Sequence, residues 1–287
     1  GQPQKGIIEP RLSPDGNRVA VTGVDQGNLD IWMHDVVRGG KSRFTFDPSN
    51  EFSSVWSPNG ERLVYSKIRL QTDISVDLFI RATDGSGEAR PLVTDSLLVY
   101  AYDWSRNGQY LLGHSADIND FSGINIWYYS MAGDASDRTL QPFFQSDFAE
   151  TLPQFSPDGR YVAYQSNETG SGEIFVRRFP GGEGKQQVSV AGGVLPRWKG
   201  DELFFVQDKT LMAVKVTTQP VFRAEIPQLL FSGDQAGVVL GTNPGIYEYD
   251  VTSDGRRFVM LQDVENAEEV PTITIVQNWV REFELKQ

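Results

Sequence analysis

Residues 154–164 read QFSPDGRYVAY: an apolar residue, then Ser-Pro-Asp-Gly, then a run of apolar residues. The same pattern recurs as RLSPDGNRVAV over 11–21, VWSPNGERLVY over 55–65 and DWSRNGQYLLG over 103–113, with looser copies RWKGDELFF over 197–205 and DVTSDGRRFVM over 250–260. Pro presets φ for an early turn position, Asp or Asn bonds the local backbone, and Gly accepts positive φ, so each copy predicts a tight turn. The turn glycines Gly16, Gly60, Gly108, Gly159, Gly200 and Gly255 are 44, 48, 51, 41 and 55 residues apart. The residue before the Ser or its equivalent is apolar in all six copies (Leu12, Trp56, Trp104, Phe155, Trp198, Val251), as is the residue three past the Gly (Val19, Leu63, Leu111, Val162, Leu203, Phe258).

After each turn comes a run dense in β-branched and aromatic residues, a polar loop, and a second such run. The later runs are LDIWMHDV from Leu29, DLFIRAT from Asp77, INIWYYS from Ile124, EIFVRRF from Glu173, TLMAVKV from Thr210 and TITIVQNW from Thr272, most of them opened by a polar residue such as Asp30, Asp77 or Glu173. A weaker fourth strand follows in most units, for instance KSRFTF from Lys41. A meander of this size cannot bury both its apolar faces, whereas a radial array of them can. The prediction is an all-β fold, a six-bladed β-propeller of four-stranded antiparallel blades, as one domain over 1–287. Its blades run approximately over 6–48, 49–95, 96–146, 147–191, 192–235 and 236–287. No segment has the capped 3.6-residue periodicity of a helix, so helix should be nearly absent. The last unit shows three clear strands, with VREFELKQ (280–287) or GIIEP (6–10) as candidates for the fourth.

Composition agrees with this reading. The 28 Gly and 15 Pro fall mostly in turns, 39 % of residues are hydrophobic, and there is no Cys, which excludes disulfides, thiolate metal sites and a cysteine nucleophile. A net charge of −12 without a basic cluster disfavours nucleic acid and anionic lipid. No stretch reaches the about 18 apolar residues of a membrane span, and the first residues lack a signal-peptide pattern.

Candidate chemistry is sparse. PGGEGKQQ (180–187) lies between strands of one unit and lacks the Lys-Ser/Thr and helix of a phosphate loop. There is no G-x-S-x-G elbow, and His34 and His114 lie in or at the ends of strands and read as structural. SADINDFSG (115–123) offers oxygens to calcium but misses the alternate-position spacing of a calcium loop. Trp56, Trp104 and Trp198 share a register with aliphatic residues, which reads as packing. No enzyme activity, cofactor or metal is expected.

Function should then lie in loops that differ between copies. Two loop sets, those joining second to third strands and those joining successive units, converge at one end. They carry the candidate binding residues Asp25, Phe52, Asp73, Tyr100, Asp117, Asp120, Phe121, Phe148, Glu150, Glu168 and Tyr247. Acidic loops with aromatic anchors suit a protein segment or basic peptide, and a central channel could hold a small ligand.

The repeat resembles the TolB-like, WD-repeat-related propellers of bacteria over essentially the whole chain. The order of SNETGSGEIFVRRFPGGEGKQQVS (166–189), GGVLPRW (192–198), YDVTSDGRRFVM (249–260) and TITIVQNW (272–279) is similar to the propeller that follows the membrane span in bacterial serine/threonine kinases. The resemblance implies an extracytoplasmic or periplasmic recognition or sensor domain with a protein or peptide partner. It also admits two alternatives: a TolB-type periplasmic scaffold in an envelope complex, or a propeller hydrolase, lyase or peptidase-associated gating propeller. No kinase glycine loop, HRD-type or DFG motif is present.

Overall fold

The computed structural model describes residues 6–70, 74–118, 120–133, 138–262 and 272–277. The regular structure of the described chain is strand apart from a single helical turn, Gly233–Ala236. The first sheet is a meander of β1 (Ile8–Leu12), β2 (Arg18–Asp25), β3 (Asn28–Asp35) and β4 (Lys41–Arg43). The next two units are β5 (Glu51–Trp56), β6 (Arg62–Leu70), β7 (Ile74–Ala82) and β8 (Arg90–Val93), followed by β9 (Leu98–Trp104), β10 (Tyr110–Asp117), β11 (Asp120–Ser130) and β12 (Leu140–Pro142). They merge into one eight-stranded sheet, because Val76 of β7 pairs in parallel with Leu98 of β9.

A second four-stranded meander follows: β13 (Glu150–Phe155), β14 (Tyr161–Ser166), β15 (Glu173–Arg178) and β16 (Gln186–Gln187). Then come β17 (Val194–Lys199), β18 (Glu202–Gln207) and β19 (Thr210–Thr217), with β20 (Arg223–Ala224) and β21 (Gln228–Ser232) both paired to β19. The last sheet is β22 (Tyr249–Val251), β23 (Arg257–Gln262) and β24 (Thr272–Gln277). Of the two candidates for a fourth strand there, residues 280–287 lie outside the described residues. Residues 6–10 contribute instead to β1, which pairs with β2 as the first strand of the first sheet.

The Ser-Pro-Asp-Gly turns owe their shape to the serine as much as to the glycine. Ser156 Oγ accepts the Tyr161 N–H at 2.9 Å and donates to Asp158 Oδ1 at 2.7 Å, while the Gly159 N–H donates to Ser156 O at 2.8 Å. Ser13, Ser57, Ser105 and Thr252 repeat this, each accepting the N–H five residues on. The glycine φ values of 71°, 72°, 75°, 69° and 72° at these five turns lie in the left-handed region that Gly enters without strain.

One apolar cluster fills the space between each successive pair of units. Ala20, Ile31 and Met33 of the first meet Trp56, Leu63 and Tyr65 of the second. Farther along the chain, Tyr161, Ala163 and Ile174 of the fourth meet Trp198, Leu203 and Phe205 of the fifth. The first and last units also cover each other, through Ile7, Val19 and Val21 against Val259 and Leu261. Second strands are therefore buried on both faces, which explains their unbroken apolar runs such as Val19, Ala20 and Val21. Trp56 and Trp198 are core residues, and the Trp56 indole N–H donates to Arg11 O of the neighbouring unit at 3.0 Å.

Gly113 is required by space. A Cβ there would lie 2.0 Å from Tyr100 O and 2.3 Å from Cζ2 of Trp127. Beside it, His114 packs against the rings of Tyr100 and Tyr102, with centroids 5.2 and 4.8 Å away, and burial alone holds its pKa down to about 3.

Three outcomes are expected. Ser156→Ala leaves the Tyr161 N–H buried without its acceptor and should cost about 1–3 kcal/mol in urea unfolding, with unchanged far-UV circular dichroism. Gly113→Ala should cost more, because both clashing partners are backbone or ring and cannot yield; the loss should exceed about 3 kcal/mol or prevent soluble expression. Below about pH 6.5 the unfolded chain protonates His114 while the native protein does not, so stability falls with pH over that window. His114→Phe should reduce the loss between about pH 7 and about pH 4.5 by about 2–3 kcal/mol, measured by urea titration at each pH.

Candidate functional site

The first strands of the six units, β1, β5, β9, β13, β17 and β22, touch one another in sequence order, and β22 touches β1 in turn. Each of β1, β5, β9, β13 and β17 has a register break against its partner. In four of these a non-glycine residue sits in the left-handed region at the break: Glu9 (φ 55°), Ser53 (50°), Leu152 (54°) and Leu195 (58°). A bulge of this kind re-aims the side chains that follow it.

Two positions before the Ser of the turn or its equivalent stand Arg11, Val55, Asp103, Gln154, Arg197 and Asp250. All six line one pocket of about 170 Å³, whose mouth is formed by turn residues including Pro14, Pro58, Arg106, Lys199 and Ser253. The pocket thus opens where first strands turn into second strands, at the opposite end from the loops between second and third strands.

Asp103 and Asp250 occupy the same repeat position and make the same bonds. Asp103 Oδ1 accepts the Trp104 N–H at 2.9 Å, and its Oδ2 accepts the Phe155 N–H of the following unit at 2.7 Å. Asp250 Oδ1 accepts the Val251 N–H at 2.8 Å, and its Oδ2 accepts the Leu12 N–H of the first unit at 2.9 Å. Burial pushes the Asp103 carboxyl up to about 6, against the pull of Lys199 and the two N–H donors.

Arg197, 2 % exposed, approaches Asp250 Oδ1 with its Nε at 3.4 Å and donates to Tyr249 O at 3.3–3.4 Å. Its guanidinium carbon lies 3.4 Å from the centre of the Tyr247 ring, and that of Arg11 lies 4.5 Å from the same ring. Tyr247 is fully buried, and its hydroxyl shares its proton between Leu152 O at 3.0 Å and Pro196 O at 2.9 Å. Burial raises its pKa, partly offset by Arg197. Below this layer the Glu9 carboxylate accepts the Ser53 N–H (2.9 Å), the Ser53 hydroxyl (2.7 Å) and the Thr22 hydroxyl (3.2 Å), while burial holds its pKa above the usual range.

The residues picked from the loops are placed differently. Tyr247 belongs to the axial layer and is buried rather than offered at a loop. Glu150 is also buried, its carboxylate accepting from Ser146 at 2.6 Å and Ser166 at 2.9 Å. Phe52 and Tyr100 are half-buried and meet with ring centres 5.9 Å apart. Asp25 pairs with Arg43 at 3.2 Å and Glu168 with Lys185 at 2.7 Å. Phe148 is 43 % exposed, and Asp117 is exposed. Asp120 and Phe121 open β11, and Asp73 lies outside the described residues. Among the described residues no group of three or more His, Asp or Glu is placed to hold a metal ion, and no helix is long and apolar enough to cross a membrane.

The axial residues were missed from sequence because Arg11, Asp103, Gln154 and Asp250 open the quoted repeats and pass as strand residues. The available signal was that this position varies from Arg to Asp to Gln while its neighbour is apolar in every copy.

No protein-family model matches the chain. Among curated proteins, 57 % of the chain aligns at 25 % identity with 30 % of the "Uncharacterized peptidase YuxL" of Bacillus subtilis. A further match aligns 34 % of the chain at 29 % identity with 21 % of the "Tol-Pal system protein TolB" of Anaeromyxobacter dehalogenans. The chain therefore spans less than a third of the length of these relatives. Among solved structures, TolB from Acinetobacter baumannii superposes with TM-score 0.59 at 14 % identity, over 78 % of this chain and 55 % of that one. An oligogalacturonate lyase in complex with manganese gives 0.60 at 13 %, over 96 % and 75 %. The Cps50 (Swd1) β-propeller domain of Myceliophteria thermophila gives 0.58 at 13 %, over 96 % and 87 %. The expectation that the protein is not an enzyme is overturned here: a relative is named a peptidase, so an enzyme is possible. A missing nucleophile elbow in this chain does not bear on a relative of which it spans 30 %. The chain is thus similar to TolB over about a third of its length, and its fold is like that of solved β-propellers.

Proposed function

We propose that the chain is a six-bladed TolB-like propeller that serves as an extracytoplasmic protein-binding scaffold, with the axial pocket at its turn end as the docking point. The observation that carries this is the set Arg11, Val55, Asp103, Gln154, Arg197 and Asp250: one repeat position, facing one pocket, occupied by four residue types. Packing positions in this repeat hold the same class of residue in every copy; a position that diverges while facing a cavity has the character of a recognition site. Loop-end residues such as Phe148 and Asp117 remain a candidate second contact surface, since both are exposed.

The reading as the sensor of a receptor kinase rests only on the order of motifs from Ser166 onward, and the TolB matches favour the scaffold over it. A second reading, favoured by the alignment with YuxL over 57 % of the chain, is that the chain forms the propeller portion of a peptidase-like protein.

Selection of a peptide-display library on the 287-residue chain tests the scaffold reading. Selected peptides should bind the wild type and bind Ser253→Trp, which places an indole at the pocket mouth, at least about tenfold more weakly. Equal binding to both proteins would remove the docking role from this pocket. Hydrolysis of fluorogenic peptides by the full gene product would favour the second reading instead.

A further inference from the structure

We propose that the axial pocket is a carboxylate site in which Arg11 grips the two oxygens of one carboxylate side-on. This deepens the docking role given to the pocket above and rests on that pocket being open to a ligand.

Arg11 is 4 % exposed, and its Nε and Nη2 atoms are fully buried with no hydrogen-bond partner among the described residues. These two N–H groups point from the same edge of the guanidinium, the edge that meets both oxygens of a carboxylate in the side-on bidentate pair. A buried charged donor without an acceptor is unfavourable by several times the value of an ordinary hydrogen bond, so the native fold keeps Arg11 in a state that an incoming anion would relieve. The other polar groups of the axial layer are already engaged. Asp103 and Asp250 accept backbone N–H groups, Arg197 faces Asp250 and Tyr249 O, and Glu9 accepts from Ser53 and Thr22.

The local charge points the same way. Arg11, Arg106, Arg197 and Lys199 line the pocket against Asp103 and Asp250, a positive surplus of two in a chain whose net charge is −12. Tyr247 lies under both Arg11 and Arg197, so its ring face holds the fork in place from one side. The pocket volume of about 170 Å³ suits a carboxylate on a short stem, either a small free acid or the last residue of a peptide chain.

Titration of the whole chain with succinate, and with N-acetylated trialanine as the free acid and as the amide, reads the site, using Arg Nε–H signals in ¹⁵N NMR at constant ionic strength. The Arg11 signal, identified by its loss in Arg11→Gln, should shift saturably with a carboxylate probe, and affinity should fall at least about tenfold in Arg11→Gln. A shift with succinate alone assigns the site to small acids; a shift with the trialanine acid but not the amide assigns it to a chain terminus; both outcomes support a carboxylate site. An unmoved Arg11 signal in the wild type, or equal response to sulfate and chloride, overturns it. If Arg11→Gln does not fold, Lys199→Gln serves as the second variant: saturable binding should remain but weaken several-fold. The wild-type titration alone still decides, and peptides displaced by Ser253→Trp would uphold docking even if every carboxylate probe failed.

Discussion

Each unit of this protein has two apolar faces, and every face is covered by the next unit in sequence except at the two ends of the series, which cover each other. Ile7, Val19 and Val21 meet Val259 and Leu261, and Asp250 reaches across to the Leu12 N–H. This contact between residues more than two hundred positions apart sets the geometry of all else. It turns a row of meanders into a structure with an axis, brings six first strands side by side, and leaves a pocket where their ends converge. The bulges at Glu9, Ser53, Leu152 and Leu195 follow from the same constraint, because strands converging on an axis must shed register to let their side chains fit.

Within that frame, Asp103 and Asp250 tie inner strand to inner strand with carboxylates rather than with the ladder bonds of a continuous sheet. A carboxylate that accepts two backbone N–H groups is a rigid brace, and the axial layer is built of such braces together with the Glu9 and Tyr247 bonds. Against this background Arg11 stands out as the pocket-lining residue whose buried donors find no acceptor among the described residues.

The turns were legible in the sequence because their chemistry is local: Pro, Asp or Asn, and Gly act within four residues, and Ser156 and its counterparts bond within five. The apolar registers at Leu12 and Val19 were legible because packing asks for the same thing in each copy. The bulges were not, since Glu, Ser and Leu in the left-handed region share no residue signature. The pocket was not, since its members are more than forty positions apart and differ in kind. Tyr247 and Glu150 look like loop residues in sequence, and only the convergence of inner strands and the serine acceptors around Glu150 shows that they are internal. Parallel pairing of Val76 with Leu98, which fuses two units into one sheet, also has no local sign.

The bond from Asp250 to Leu12 also orders events in time. Hairpins within each unit can form as the chain leaves the ribosome, yet the first unit's outer apolar face has no cover until residues near 260 have been made. Until then one bare sheet face stays at the first unit and another at the growing end. The protection of both arrives in a single late step, so β1, made before the other strands described here, is among the last of them to be secured.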